Sequence, residues 1–145
     1  MSSRLIFDDR QRVGEWVSPS GDPLSTYGRF YAMGVERDGE LVAGIVADHI
    51  NGSNALAHIK ITKPGKDTFA LIRAFFDYAF NQCKLKRVTG FTPSVWTKVV
   101  VFQKKIGFTE EFVIKDGYPG GDMVVFVMRP ETCKWLTHKE TRDAT

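Results

Sequence analysis

Apolar and polar positions change their rhythm about halfway along this chain. Arg4-Leu5-Ile6-Phe7 suits a short first strand. Asp8 to Val17 reads as a helix, with Asp8 or Asp9 as cap and Val13, Trp16 and Val17 as its apolar stripe. Ser18-Pro19-Ser20-Gly21-Asp22-Pro23 carries the residues of a turn and ends it. Strands are expected over Arg29–Val35 and Leu41–Ile50, joined by a hairpin turn at Arg37-Asp38-Gly39-Glu40. A second turn, Asn51-Gly52-Ser53-Asn54, leads into a fourth strand, Ala55 to Thr62, in which Leu56, His58, Lys60 and Thr62 share one face. The second to fourth strands make an antiparallel meander.

Beyond Lys63-Pro64-Gly65-Lys66 the spacing becomes helical. Asp67 or Thr68 serves as N-cap of a helix free of Gly and Pro up to Cys83. Phe69, Ile72, Phe76 and Phe80 form one stripe of it, which Leu71, Phe75 and Ala79 widen. So broad an apolar band fits packing on a sheet. Arg87–Thr92 reads as a fifth strand, and Ser94 to Lys105 as a helix that ends where Gly107 supplies a left-handed cap. Phe112–Lys115 and Asp122–Met128 close the chain as a hairpin across Asp116–Gly121, and a polar tail from Arg129 keeps one apolar anchor, Trp135-Leu136. A strand–helix–strand crossover makes the fourth and fifth strands parallel neighbours. The expectation is one α/β (α+β) domain over residues 1–145, with its core over about 4–128 and a mixed sheet of six to seven strands flanked by helices on both faces.

Composition narrows the class. With 43% apolar and 26% charged residues, the 145-residue chain is an ordinary globular domain, too short for a second core. No apolar run approaches the ~20 residues of a membrane span. The N-terminus turns acidic at Asp8-Asp9 before a secretory apolar region develops. Cys83 and Cys133 have neither disulfide-framework nor metal-ligand spacing, so the expectation is a cytoplasmic protein with two reduced thiols and no metal. The net charge is only +3, but it is uneven: Lys60 to Lys105 holds ten basic and two acidic residues, a balance of +8 that leaves −5 for the rest. A polyanionic ligand is drawn to that middle segment. Nucleic acid is disfavoured, because the aromatics lie at core spacing and do not interleave with the basic residues.

Three segments carry a family resemblance: Phe75-Phe76-Asp77-Tyr78-Ala79-Phe80, then Lys86-Arg87-Val88-Thr89, then Phe102-Gln103-Lys104-Lys105-Ile106-Gly107-Phe108-Thr109-Glu110-Glu111. In this order and spacing the chain, from about Arg4 to Met128, resembles the GNAT superfamily of acetyl-CoA-dependent N-acetyltransferases, in particular its ribosomal-protein-acetyltransferase-like branch. The ending Gly120-Gly121-Asp122-Met123, Met128-Arg129-Pro130 and Cys133-Lys134-Trp135-Leu136 is similar to small GNAT-like proteins of phages and prophages. The resemblance implies a V-shaped splay between strands 4 and 5. The pantetheine arm of acetyl-CoA would pair there with the backbone near Ile59, Lys60 and Ile61. Its diphosphate would lie on the helix N-terminus formed by Gly65, Lys66, Asp67, Thr68 and Phe69. Lys63, Lys66, Lys98 and Lys105 are candidates for the phosphate charges.

The chain departs from the family pattern at four positions. Lys66 and Thr68 stand where the phosphate loop has small residues, and Asp67 adds an anion, readable instead as a cap. Trp96 replaces a helix-start Asn and is either core packing or a wall against the thioester. Gln103 falls where the family carries a proton-donating Tyr, and an amide gives no proton. Candidates for the base that takes the amine proton are His58 on the fourth strand, His49 and Asp48 at the end of the third, and Tyr118 in the closing hairpin. His138 is assigned to the surface of the tail, and Ser94 to a helix cap. Two readings follow. One is transfer of acetyl from CoA to an amine on a small molecule or protein by direct attack. The other is a non-catalytic GNAT-fold binding module. The sequence fixes neither the acceptor nor the oligomeric state, whether a homodimer or a complex with a host or virion protein.

Overall fold

The computed structural model describes residues 2–18 and 27–136; the turn expected at 19–23 and His138 lie outside them. The elements are β1 (Ser3–Ile6), α1 (Arg10–Val17), β2 (Phe30–Arg37), β3 (Glu40–Asp48), β4 (Asn54–Ile61), α2 (Lys66–Phe76), which runs on as a π-helical segment (Asp77–Gln82), β5 (Arg87–Pro93), α3 (Thr97–Ile106), β6 (Thr109–Tyr118) and β7 (Gly121–Met128). One seven-stranded sheet has the order β1-β2-β3-β4-β5-β7-β6, and every pairing is antiparallel except β4–β5.

Local chemistry accounts for most boundaries. Asp9 caps α1 by accepting the Arg12 N–H at 3.2 Å. Asp38 (φ 51°) and Gly39 (φ 86°) form the β2–β3 turn with two left-handed residues, the twist that a two-residue hairpin needs. Asn51 Oδ1 accepts the N–H groups of Ser53 and Asn54 and so starts β4. Gly107 ends α3 at φ 111°.

Helices cover both faces of the sheet. On one, α1 lies against β2, β3 and β4, burying Val13 and Val17 with Ile6, Phe30, Ala32 and Val46. Gly44 on β3 permits that approach: a Cβ there would come within 2.7 Å of Val17 Cγ2 and 3.1 Å of Val13 Cγ1. On the other face α2 supplies Leu71, Ile72, Phe75, Phe76, Ala79 and Phe80 to the main core, which Ile106 and Phe108 extend. Burying side chains of this size contributes about 1.5–3 kcal/mol each. Phe69 leaves the predicted stripe: it is 55% exposed and stacks on Trp135 at 5.9 Å. The buried face runs instead from Thr68 through Leu71, Ile72, Phe75 and Phe76, which puts Phe69 on its margin. Trp135 donates to the Ile106 carbonyl at 2.7 Å, and Leu136 is buried, so the tail anchor holds. Among the described residues no helix is long and apolar enough to cross a membrane.

Candidate active site

The parallel seam between β4 and β5 closes for three residues only, Asn54↔Arg87, Ala55↔Val88 and Leu56↔Thr89. From Ala57 to Ile61, β4 stays paired with β3 but, among the described residues, has no strand partner on its other side. β5 meanwhile continues to Pro93 against β7. The gap is a crevice of about 530 Å³, with Ala57–Ile61 and Pro64 on one wall and Phe91 and Thr92 on the other. Trp96 at the cap of α3 and Lys98, Val99, Phe102 and Gln103 along it complete the lining, and Val17 closes it from α1. The expected splay is present, and the unpaired edge lies where Ile59, Lys60 and Ile61 are.

A polar cluster stands beside the closed end. Asp48, only 3% exposed, ends β3 on the same face as His58. Its Oδ2 lies 3.1 Å from His58 Nε2, and its Oδ1 accepts the Gly28 N–H at 2.8 Å and meets His49 Nδ1 at 2.9 Å. His49 reaches it by adopting a left-handed backbone (φ 52°). The Tyr27 ring lies 5.0 Å from that of His58. Burial, and then the Asp48 charge, push the Tyr27 hydroxyl up to about 12, so it stays neutral near pH 7. Asp48 sits between the two imidazoles; among the described residues no group of His, Cys, Asp and Glu gathers around one point as a metal site needs. His58 lines the crevice, whereas His49 turns outward. Tyr118, the remaining base candidate, packs edge-on against Trp96 at 5.8 Å, across the crevice from β4.

At the N-terminus of α2, Gly65 is the cap. Its N–H donates to Thr68 Oγ1 at 2.9 Å, and the Thr68 N–H returns to the Gly65 carbonyl at 3.1 Å. Asp67 therefore does not cap the helix. It forms a fork with the Arg37 guanidinium at 2.7 and 2.5 Å and accepts from Ser3 Oγ at 2.8 Å. Hydrogen bonding to Arg37 holds its carboxyl down at about 2. Arg37, at the end of β2, thus neutralises the anion that the sequence placed at this terminus. No local signal announces the pair, because its members lie thirty residues apart. Lys66 is exposed in the first turn, and Lys63 is exposed just after β4.

The remaining candidates lie on α3 or at its cap. Trp96 is not core: it is 49% exposed and forms part of the crevice. Lys98 joins it, whereas Lys105, two residues and about 200° around α3 from the crevice-lining Gln103, does not line the crevice. Gln103 is buried, its Oε1 accepting the Thr92 hydroxyl at 2.8 Å. Phe91, Thr92, Val99 and Phe102 were not among the expected site residues. The i, i+3, i+7 spacing of Trp96, Val99 and Gln103 marks the crevice face of α3 in the sequence.

Neither a protein-family model nor a curated protein matches the sequence. Solved structures do match the fold. A probable acetyltransferase is similar over 89% of this chain and 92% of its own, at 21% identity and a TM-score of 0.63. Spermidine N-acetyltransferase from Vibrio cholerae, in complex with CoA and spermine, is similar over 93% of this chain and 98% of its own, at 16% identity and a TM-score of 0.69. The spermidine/spermine N-acetyltransferase from Vibrio cholerae in complex with manganese ions is similar over 88% of this chain and 91% of its own, at 17% identity and a TM-score of 0.65. Strand order, a single parallel pairing that opens into a crevice, and these likenesses together show that the chain has the fold of the GNAT N-acetyltransferases.

Proposed function

We propose that this chain is an acetyl-CoA-dependent N-acetyltransferase acting by direct attack of an amine on the thioester. The observation that carries the reading is the free β4 edge from Ala57 to Ile61, facing a crevice into which His58 projects beside a buried carboxylate. The edge offers unpaired backbone groups to the amide-bearing pantetheine arm, as an added strand would be held. The α2 terminus, with Lys66 exposed and Asp67 neutralised by Arg37, favours the diphosphate. Because the Gly65 and Thr68 amides are used within the cap, Lys66 carries more of that attraction than a glycine loop would require.

His58 serves as the base. In the tautomer that donates Nε2–H to Asp48, Nδ1 is free to accept the amine proton, and Asp48 stabilises the resulting imidazolium. The amine nitrogen bonds to the acyl carbon, the carbon–sulfur bond breaks, and the sulfur leaves with the electron pair. Gln103 has no proton to give, so the proton held on His58 is the one returned to the sulfur. Proximity supplies much of the remaining acceleration. His49 and the Gly28 amide fix the other oxygen of Asp48 and so act as positioning groups.

Calorimetric titration with acetyl-CoA tests the reading. Binding is expected, weakened by Lys66→Glu and retained in Lys60→Glu, whose ammonium is turned to the Trp16 carbonyl and ring. No heat at millimolar ligand would overturn it in favour of a non-catalytic binding module.

A further inference from the structure

We infer that the chain forms a two-fold homodimer by antiparallel pairing of β6 with β6 of a second copy. The two edges of the sheet differ in kind. β1 is four residues long and begins with Ser3 and Arg4. β6 is ten residues long, its positions 109–117 are all exposed, and Phe112, Val113 and Ile114 present 54%, 44% and 39% of their surface. Folded proteins ordinarily blunt such an edge, because its free N–H and C=O groups template another strand. Here the register with β7 shifts on either side of residues 112–114, so the regular stretch is the apolar one.

The sequence of that stretch is self-complementary. With Val113 on the two-fold axis, Phe112 stands opposite Ile114 of the second copy, and Ile114 opposite its Phe112. Phe91 pairs with Val125, and Val125 with Phe112; Pro93 pairs with Met123, and Met123 with Ile114. The dimer therefore joins Phe91, Val125 and Phe112 to Ile114, Met123 and Pro93 of the second copy as one apolar row on one face. α1 reaches only as far as β4, and Phe91, Phe112 and Ile114 beyond it are exposed. On the other face Thr92, Val124 and Val113 meet their own counterparts.

Charge agrees with this register. At one end of β6, Glu110 and Glu111 stand with Lys104, Arg87 and Arg129, a local balance of +1. At the other, Lys115 and Asp116 stand with Asp122, which accepts the Asp116 N–H, a balance of −1. Antiparallel pairing lays each end on its opposite. The direct Glu110–Asp116 pairing is like-charged, with Lys104 3.9 Å from Glu110. A two-fold contact of this kind uses the same patch on both copies and closes at two.

Light scattering on the eluting protein should give twice the 16.4 kDa of one chain, and Val113→Lys should return it to 16.4 kDa with an unchanged circular dichroism spectrum. In a Cys83→Ser background, Val113→Cys should cross-link to itself on oxidation, because directly opposed Cα atoms lie about 4.5–5.5 Å apart, within disulfide reach. Glu110→Cys alone should not. A monomer at high micromolar concentration overturns the proposal. So does a dimer that survives Val113→Lys without cross-linking at 113, or open-ended aggregation in place of a dimer.

Discussion

The two ends of the β4–β5 seam share strands and direction, yet one is closed and the other open. At the closed end polar side chains bridge the strands. The Thr89 hydroxyl donates to Asn54 Oδ1 at 2.7 Å and accepts from Arg87 Nε at 3.0 Å, and the Arg87 fork is held by Glu111 at 3.0 and 2.6 Å. At the open end the β5 hydroxyl, Thr92, turns to Gln103 on α3 and offers nothing to β4. Backbone propensity does not distinguish the ends; the partners chosen by Thr89 and Thr92 do.

That contrast can be broken from either side. The largest effect is expected at the open end: His58→Gln should lower kcat by about 10²–10⁴-fold while acetyl-CoA affinity and melting temperature hold, as separate kinetics and calorimetry would establish. A fall in affinity of equal size would assign His58 to binding instead. At the closed end Asn54→Ala removes the acceptor of the buried Thr89 hydroxyl and should cost about 1–3 kcal/mol in urea unfolding, with loss of the three-residue pairing. The smallest effect belongs to the α2 terminus that follows β4. Asp67 has a folded-state value of about 2 against an ordinary 3.8, so its contribution is complete above the ordinary value and is lost as pH falls from near 4 toward 2. Acid unfolding should show this as a loss of about 1 kcal/mol, modest because the pair is partly exposed to solvent, and Arg37→Met should abolish that part of the pH dependence.

Elements were legible where one local signal sufficed. Asp9, Asp38-Gly39, Asn51 and Gly107 each settle a boundary through their own side chain or φ, and all four fall where the sequence places them. The closing hairpin is longer than expected. β6 extends to Tyr118 because the Asp116 N–H finds Asp122 and the turn contracts to Pro119-Gly120, with Gly120 at φ 87°. The continuation of α2 as a π-helical segment, with Cys83 N–H reaching the Tyr78 carbonyl at 2.8 Å, leaves no trace in the apolar period.

The site divided in the same way. β4 and its histidine followed from strand alternation and the family resemblance. The role of Asp67 did not, because Arg37 arrives from a strand far away in the chain. Trp96 looked apolar enough for a core, but a residue that begins a helix beside an unpaired strand end has a crevice for its neighbour. Charge density groups Lys105 with the ligand lysines, but it ignores which face of a helix a residue occupies: Gln103, two positions earlier, lines the crevice and Lys105 does not.

Gly44 on β3 pairs with Lys60 on β4, under α1. Because α1 rests where a methyl group at position 44 would intrude, and because Val17 of α1 borders the crevice, the bore of the cleft is gauged by a side chain that is missing. One added carbon, Gly44→Ala, would press on Val17 and Val13, so the width of the cleft is open to adjustment from behind, through α1.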